Sequence, residues 1–479
     1  MEDWVKEIYQ HEKKKRNIPL EVKTRNNIPY LYNTTTIWNK ETKKRKKISK
    51  FIGRITKTGV IEAHSIKTPP RTIYEYANAK LLQNIANDIT PALETEFPND
   101  YQEIIAASII RLLQPTPLRL MKSRWEKLYL SKTLNPSLSH QTISEKLRRI
   151  GADTIAQRRF FDTLIQKSNL LLFDLSAIFS RSENLNLAER GHNADHMFLD
   201  QINFALMFSA DQKLPVMLKP LPGSVRDIKA LKNVLGEFGF KNCICVLDRG
   251  FADMSLPELF LEKEMSFVLP LRRNFKVIDY AVEFTGRFTF SDRGINWAKS
   301  CVEGNFLYLF EDVKLRAEEE TTFIGLVEAK KRTVEELKVA SLRFGRIAIL
   351  SNLDVCGKEV YLLFKSREDV EQVFDVFKNE LENDKTYLSD TDAVRGYFFI
   401  SFVSLYLYYR VYNILRVHDR IGKVSVNELL FELSKVYAVE YPNNQVLLSE
   451  IPGKIAAFDK DLELNLFSNK NLSPTKIAS

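Results

Sequence analysis

Cysteine is scarce in this chain: four in 479 residues, Cys243, Cys245, Cys301 and Cys356, at spacings that match no zinc-ligand pattern. Cys243 and Cys245 lie two apart in an apolar run, so they share one face of an expected strand and read as core thiols. This usage points to a reduced, cytoplasmic protein. Long apolar runs are missing too. No stretch reaches the ~18 apolar residues of a membrane span. The apolar segment Tyr397–Tyr409 is short, Tyr-rich and preceded by Arg395-Gly396, so it is expected to be a buried core helix, and no membrane partner is expected. The N-terminus, Met1-Glu-Asp-Trp4, shows no signal-peptide pattern. There is no Walker A sequence, which argues against an NTPase motor. No Gly-x-Ser-x-Gly turn surrounds Ser176, which argues against a serine nucleophile.

Charge, by contrast, is abundant and unevenly placed. The net charge is +9, from 70 Lys and Arg against 61 Asp and Glu. Residues 1–60 hold 16 Lys and Arg against 6 Asp and Glu, a net of +10, so the remainder is nearly balanced at −1. Lys13-Lys-Lys-Arg16 and Lys43-Lys-Arg-Lys-Lys47 are the concentrated runs. A solvated face or flexible tail would explain them equally well. Interleaved Tyr30, Tyr32, Trp38 and Phe51 argue instead for a small folded β-rich unit with basic loops, suited to phosphate contacts.

The segment richest in chemical content runs from Phe364 to Lys378. At 100° per residue, Val370, Val373, Phe374, Phe377 and Leu381 form a buried helical stripe. Arg367, Glu371 and Lys378 fall together about 60–100° away, beside the core rather than opposite it. A solvated Arg367–Glu371 ion pair would account for part of this. Two apolar runs carry lone aspartates: Leu170–Phe179 contains Asp174, and Cys243–Phe251 contains Asp248. A buried carboxylate needs a cation, a cap role or a hydrogen-bond network, and a strand-end Asp also serves as an N-cap. Two strand aspartates with one helix glutamate make the smallest hard-oxygen set for Mg²⁺ or Mn²⁺. His192 and His196 have i,i+4 spacing, but Gly191 and Asn193 favour a loop over a metal site.

On these residues the chain resembles the DDE transposases of insertion sequences, and within them the IS-four family with its Tyr-x2-Arg-x3-Glu-x6-Lys signature. Arg367, Glu371 and Lys378 fit that spacing, with Phe364 in place of the Tyr. The blocks Asp174-Leu-Ser176, Gly191-His-Asn-Ala-Asp195-His through Gln201, Leu221-Pro-Gly223-Ser-Val-Arg-Asp227 and Asp248-Arg-Gly-Phe251 are similar to the family as well, although its Ser-Lys before Asp195 is Asn193-Ala194 here. The resemblance spans roughly residues 30 to 430.

The resemblance implies an α/β fold with an RNase H-like mixed sheet at its core. It also implies a catalytic triad of Asp174, Asp248 and Glu371 holding Mg²⁺ or Mn²⁺, with two ions expected. Arg367, Lys378, Arg249 and Phe364 are the expected DNA contacts. The implied reaction is metal-dependent cleavage of double-stranded DNA at transposon terminal repeats, then strand transfer into target DNA by a homodimer or higher oligomer. Such a protein would be cytoplasmic and nucleoid-associated when bound to DNA. An RNase H-like nuclease without strand transfer, or an inactive DNA-binding descendant, would fit the same residues.

Along the chain, residues 1–66 read as the basic β-rich unit and 67–166 as a helical DNA-binding region, with helical patterns at Ile73–Ile89, Tyr101–Leu113 and His140–Lys167 broken by Pro115-Thr-Pro117. The core is expected over 167–272 and 346–430, the second part bearing the Glu371 helix. The 123-position step from Asp248 to Glu371 exceeds what one strand and one helix require. Residues 273–345 therefore read as a β-rich insertion, with strand-like runs at Val277–Val282, Arg287–Phe290, Asn305–Phe310 and Thr322–Val327. Trp297 reads there as core packing in preference to a DNA-facing ring. Residues 431–479 read as an amphipathic, then polar tail, expected to be disordered.

Overall fold

The computed structural model describes the chain except residues 1, 26–27, 40–43, 58, 63–69, 181, 183–184, 192–199, 382–384, 387, 443–444, 468–470 and 473–479. The His192/His196 pair, Asp195 and the last residues of the tail lie outside the described residues. The chain divides into two compact units: Met1–Arg71 with Tyr441–Asn443, and Thr72–Glu440 with Asn444–Ser479.

The first unit opens with a helix the sequence reading did not anticipate, α1 (Asp3–Arg16). Asp3 stands in its first turn and Lys13, Lys14, Lys15 and Arg16 in its last, each complementing the helix dipole, so the first basic run is a helix end and not a loop. A four-stranded antiparallel meander follows: β1 (Leu20–Arg25), β2 (Ile28–Asn39), β3 (Lys44–Thr56) and β4 (Gly59–Glu62). Its core is Val5, Leu20, Leu31 and Ile55, with Trp4, Ile8 and Tyr9 of α1 packed against them.

In the second unit, β5 (Thr72–Glu75) precedes α2 (Ala77–Ala86), α3 (Thr90–Glu96), α4 (Tyr101–Leu113), α5 (Met121–Trp125), α6 (His140–Ala152) and α7 (Thr154–Ile165). The expected run His140–Lys167 divides at Asp153, whose carboxylate accepts the Ala156 N–H at 3.0 Å and so caps α7. The expected run from Ile73 begins as strand, and the helix starts at Ala77.

The sheet begins with β6 (Leu170–Ser180), β7 (Glu189–Arg190), β8 (Asp200–Ser209) and β9 (Leu214–Pro222). Then come α8 (Asp227–Glu237), β10 (Ile244–Val246), α9 (Leu256–Glu262) and β11 (Ser266–Leu271). β6, β8 and β9 pair antiparallel, whereas β10 lies parallel to both β6 and β11. This mixed α/β sheet is the one expected for an RNase H-like core. Near-continuous apolar sequence in β6, β8 and β10 reflects cover on both faces.

β12 (Gly286–Phe290), β13 (Arg293–Val302), β14 (Asn305–Asp312) and β15 (Arg346–Ser351) extend the same sheet beyond β11. The inserted strands are thus continuous with the core. Two expected strands are absent from this region: Val277–Val282 is irregular, and Thr322–Val327 lies in α10 (Val313–Glu328), which is followed by α11 (Val334–Ser341). Thr321 and Thr322 donate to the carbonyls of Ala317 and Glu318, both at 2.8 Å, so these β-branched residues are accommodated inside a helix. Trp297 packs between Gly286 and Gly357, where an added Cβ would meet the indole at 2.3 and 2.2 Å.

After β15 come α12 (Gly357–Lys365), α13 (Glu368–Asp375), a π turn (Val376–Glu380), β16 (Lys385–Thr386) and α14 (Thr391–Val417). α14 contains the apolar Tyr397–Tyr409 segment. Among the described residues it is the one helix long and apolar enough to cross a membrane, and it is largely buried in the protein. The region read as a disordered tail is folded over most of its length: α15 (Val426–Leu433), β17 (Tyr437–Glu440), β18 (Val446–Leu448), α16 (Gly453–Asp461) and β19 (Asn471–Leu472). β17 pairs antiparallel with β5, and Leu429, Leu433, Ala438, Ile455 and Leu462 are buried.

Candidate active site

The two strand aspartates are aligned by register. β10 pairs with β6 as Ile244↔Leu170, Cys245↔Leu171 and Val246↔Leu172, a constant offset of 74. Asp174 and Asp248 each stand two residues past the last pair, so period-two geometry puts both on one face at the same level of the sheet. Asp248 caps the turn Arg249–Phe251, accepting the Gly250 N–H at 3.4 Å. A Cβ on Gly250 would lie 3.1 Å from Asp227 Oδ2 and 3.7 Å from Asp248 Oδ2. Asp227, in the first turn of α8, is therefore a fourth carboxylate close to this level. Its presence in the Pro-Gly-Ser-Val-Arg-Asp block was legible, but nothing in the sequence marked it as a neighbour of Asp248.

The stripe Val370, Val373, Phe377 and Leu381 is buried, and Phe374 and Phe377 pack on Phe204 of β8 with ring centroids 5.6 and 5.0 Å apart. Lys213, in the β8–β9 turn, pairs with Asp369 at 2.6 Å and fixes the start of α13. The segment is not one uniform helix. It tightens around Arg367, where Arg367, Asp369 and Val370 donate to carbonyls three residues back, and it widens in the π turn. Arg367 and Glu371 still meet, at 3.1 Å, and Arg367 also reaches Asp248 at 3.4 Å. One guanidinium thus bridges the strand carboxylate and the helix carboxylate. Lys378, the third member of the expected row, sits half-buried in the π turn beyond the regular helix that carries Glu371.

Asp174 is half-buried and its carboxyl is pushed up to about 7, chiefly by burial, with the Leu175 N–H pulling down and the Asp248 charge pushing further up. Arg367 opposes that rise and Asp227 adds to it. The site thus sets a largely desolvated carboxyl beside two further carboxylates, Asp248 and Asp227. Its hard-oxygen donors suit a divalent cation. Among the described residues, however, no three carboxylate, imidazole or thiolate side chains are already gathered closely enough to hold one ion.

Beside Asp248 opens a cleft of about 780 Å³ lined by Arg249, Arg272, Arg273, Arg346, Lys365 and Arg367, with Phe364 in its wall. Phe364 packs edge-on against Tyr361 at 6.4 Å, so the position of the signature tyrosine is filled by a wall residue. Arg273 is held by Glu319 at 2.9 and 3.0 Å. Nε and Nη1 of Arg346 are buried and find no hydrogen-bond partner among the described residues, while its Nη2 pairs with Glu311 at 3.3 Å. Arg272, Arg273, Arg346 and Lys365 were not singled out from sequence. Antiparallel pairing of β11 with β15, Leu271↔Ala348, is what brings Arg272 and Arg273 to the end where Arg346 begins. Glu371 itself faces a second cavity with Glu368, Asp375, Tyr408, Tyr409 and Tyr412.

Gln201 and Gly223, from the remaining similar blocks, serve as framework. Asn203 Nδ2 donates to the carbonyls of Gly223 and Val225, both at 3.0 Å, and Gln201 Nε2 donates to Asn203 Oδ1 at 2.7 Å. These bonds fix the chain as it leaves β9 for Asp227.

Residues 178–407 match the family model of the transposase DDE domain. That match supports a DDE transposase. The matched stretch is a little under half of the chain; it contains Asp248 and Glu371 and begins four residues after Asp174. No curated protein matches this chain. Among solved structures, a piggyBac transposase in a synaptic complex with hairpin DNA is similar at a TM-score of 0.40 and 11% identity, over 74% of this chain and 77% of that one.

Proposed function

We propose that this protein is a transposase of the IS-four type that cuts double-stranded DNA at transposon ends and transfers the freed 3′-hydroxyls into target DNA. The observation that carries the reading is the convergence of three elements on one charge cluster: Asp174 and Asp248 in register, with Arg367 joining Asp248 to Glu371. Asp174, Asp248 and Glu371 would hold Mg²⁺ or Mn²⁺. Such ions, when two are bound, stabilise the attacking and leaving oxygens of an in-line displacement.

The chain's own cations do the positioning. Arg249, Arg272 and Arg367 would grip the phosphates flanking the scissile bond through paired N–H groups and Lys365 as a point charge, while Arg273, held by Glu319, and Arg346, paired with Glu311, add positive charge to the wall. Arg367 pairs with both Asp248 and Glu371. It would turn to phosphate once those carboxylates are otherwise engaged. Joining two ends calls for a homodimer or larger assembly on DNA, acting in the cytoplasm on nucleoid DNA.

Incubation with the flanking terminal repeats, a target plasmid and Mg²⁺ or Mn²⁺ tests this. Joined products are expected. Cleavage without joining would leave an RNase H-like nuclease, and binding without cleavage an inactive descendant.

A further inference from the structure

The first unit presents a sheet face whose composition the proposed function does not use. Cross-strand partners define it: Tyr32↔Phe51, Thr34↔Ser49, Thr36↔Lys47 and Trp38↔Arg45 across β2 and β3, with Glu21↔Tyr32 and Lys23↔Tyr30 across β1 and β2. Directly opposed side chains share a face. The other face carries Leu20, Leu31 and Ile55 and packs on α1. A bulge between Leu31 and Tyr32 keeps both patterns in phase along the longest strands.

Aromatic rings and cations share the outer face. Phe51 lies 5.7 Å from Tyr30 and 5.3 Å from Tyr32, and Lys23 Nζ sits 4.8 Å from the Tyr32 ring. Phe51 is 43% exposed and Trp38, six residues along β2 from Tyr32, is 56% exposed. The row from Tyr32 to Trp38 runs about 20 Å, with Thr34, Thr36, Ser49 and Lys47 between. Glu21 pairs with Lys47 at 2.8 Å and is the lone acid on these pairs.

We propose that this face binds an unpaired DNA strand, its bases stacking on Trp38, Phe51 and Tyr32 and its phosphates meeting Arg45, Lys47 and Lys23. Charge complementarity points to a polyanion, and the rings decide which kind. In a duplex the base faces are hidden in the stack, so flat rings on a sheet gain nothing. A single strand offers a π-face at every nucleotide. Threonine and serine between the rings break the apolar continuity that a lipid surface would favour.

The test uses the full chain without divalent ions, so it reads binding independently of cleavage. Fluorescence anisotropy is measured with an oligothymidylate, a duplex of equal length and anionic phospholipid vesicles, for wild type, Trp38→Ala, Phe51→Ala and Trp38→Phe. Expected is a loss of roughly tenfold in oligothymidylate affinity for each alanine variant. Duplex affinity should stay within about twofold, and Trp38→Phe should retain most single-strand binding. Equal losses on duplex and single strand would overturn the proposal, as would vesicle binding that alone responds to the aromatic changes. Far-UV circular dichroism and Trp38→Phe guard against misreading a folding defect.

Discussion

Arg367 lies 3.4 Å from Asp248, although 119 residues separate them, and the same guanidinium is 3.1 Å from Glu371. Its two partners are partly exposed, so the contact is worth about 1 kcal/mol or less to stability. Its importance is electrostatic: it occupies the position where the carboxylates need positive charge.

Arg367→Met should therefore bind Mn²⁺ several-fold more tightly than wild type in calorimetry, because a competitor for the carboxylates is gone. It should also cleave DNA far more slowly, for want of a phosphate grip. Weaker Mn²⁺ binding would show that Arg367 does not compete for those oxygens.

Replacing Asp174, Asp248 or Glu371 singly with Ala should abolish cleavage and leave duplex affinity nearly unchanged, since that affinity is spread over many cations. Gel-shift and cleavage assays on the same preparations decide it. Robust cleavage by Glu371→Ala with Mg²⁺ would discard the triad.

The Asp174 carboxyl, raised from the ordinary 3.8 to about 7, sets a pH dependence. An acid with a raised folded-state pKa favours folding below its unfolded value, and that contribution is lost as pH rises through about 7. Asp174→Asn should accordingly be more stable than wild type at pH 8, by on the order of 2–4 kcal/mol, with the gap closing toward pH 4. Because metal binding favours the ionised form, Mg²⁺ affinity should climb across pH 6–8 and release protons in calorimetry. A pH-independent stability difference would refute the burial argument.

Gly223→Ala should be strongly destabilising, by roughly 3 kcal/mol or more, because a Cβ there would lie 2.1 Å from the Gln201 carbonyl oxygen and 2.4 Å from that of Glu189. Thermal melts measure it. An unchanged melting temperature would mean that the β9–α8 connection is more adaptable than its hydrogen bonds indicate.

The core strands were legible because burial on both faces leaves near-continuous apolar runs, and α13 because its stripe keeps helical phase. What escaped notice depended on partners remote in sequence or on purely local chemistry. The run at Thr322 has strand composition, yet it lies in a helix capped by Asp312 and includes no buried residue. Elements after residue 430 are only two to nine residues long, too short to show a period, and they find cover in a strand at residues 72–75. Of the residues gathered here, Asp174, Asp248, Glu371 and Arg367 could be singled out from the sequence, whereas Asp227 could not. The basic wall of Arg272, Arg273 and Arg346 could not, because it exists only through strand pairing.

The pairing of β17 with β5 sets an order of events during synthesis. The two strands are joined by bonds such as that from the Tyr74 hydroxyl to Glu440, 366 residues apart in sequence. A nascent chain can form its early helices as they emerge, but this small sheet must wait until residues 437–440 have been released. At about 5–20 residues per second the delay is tens of seconds. Premature stops shortly before Tyr437 would leave β5 with an open edge, and such truncated products should be marked by rapid proteolysis or aggregation.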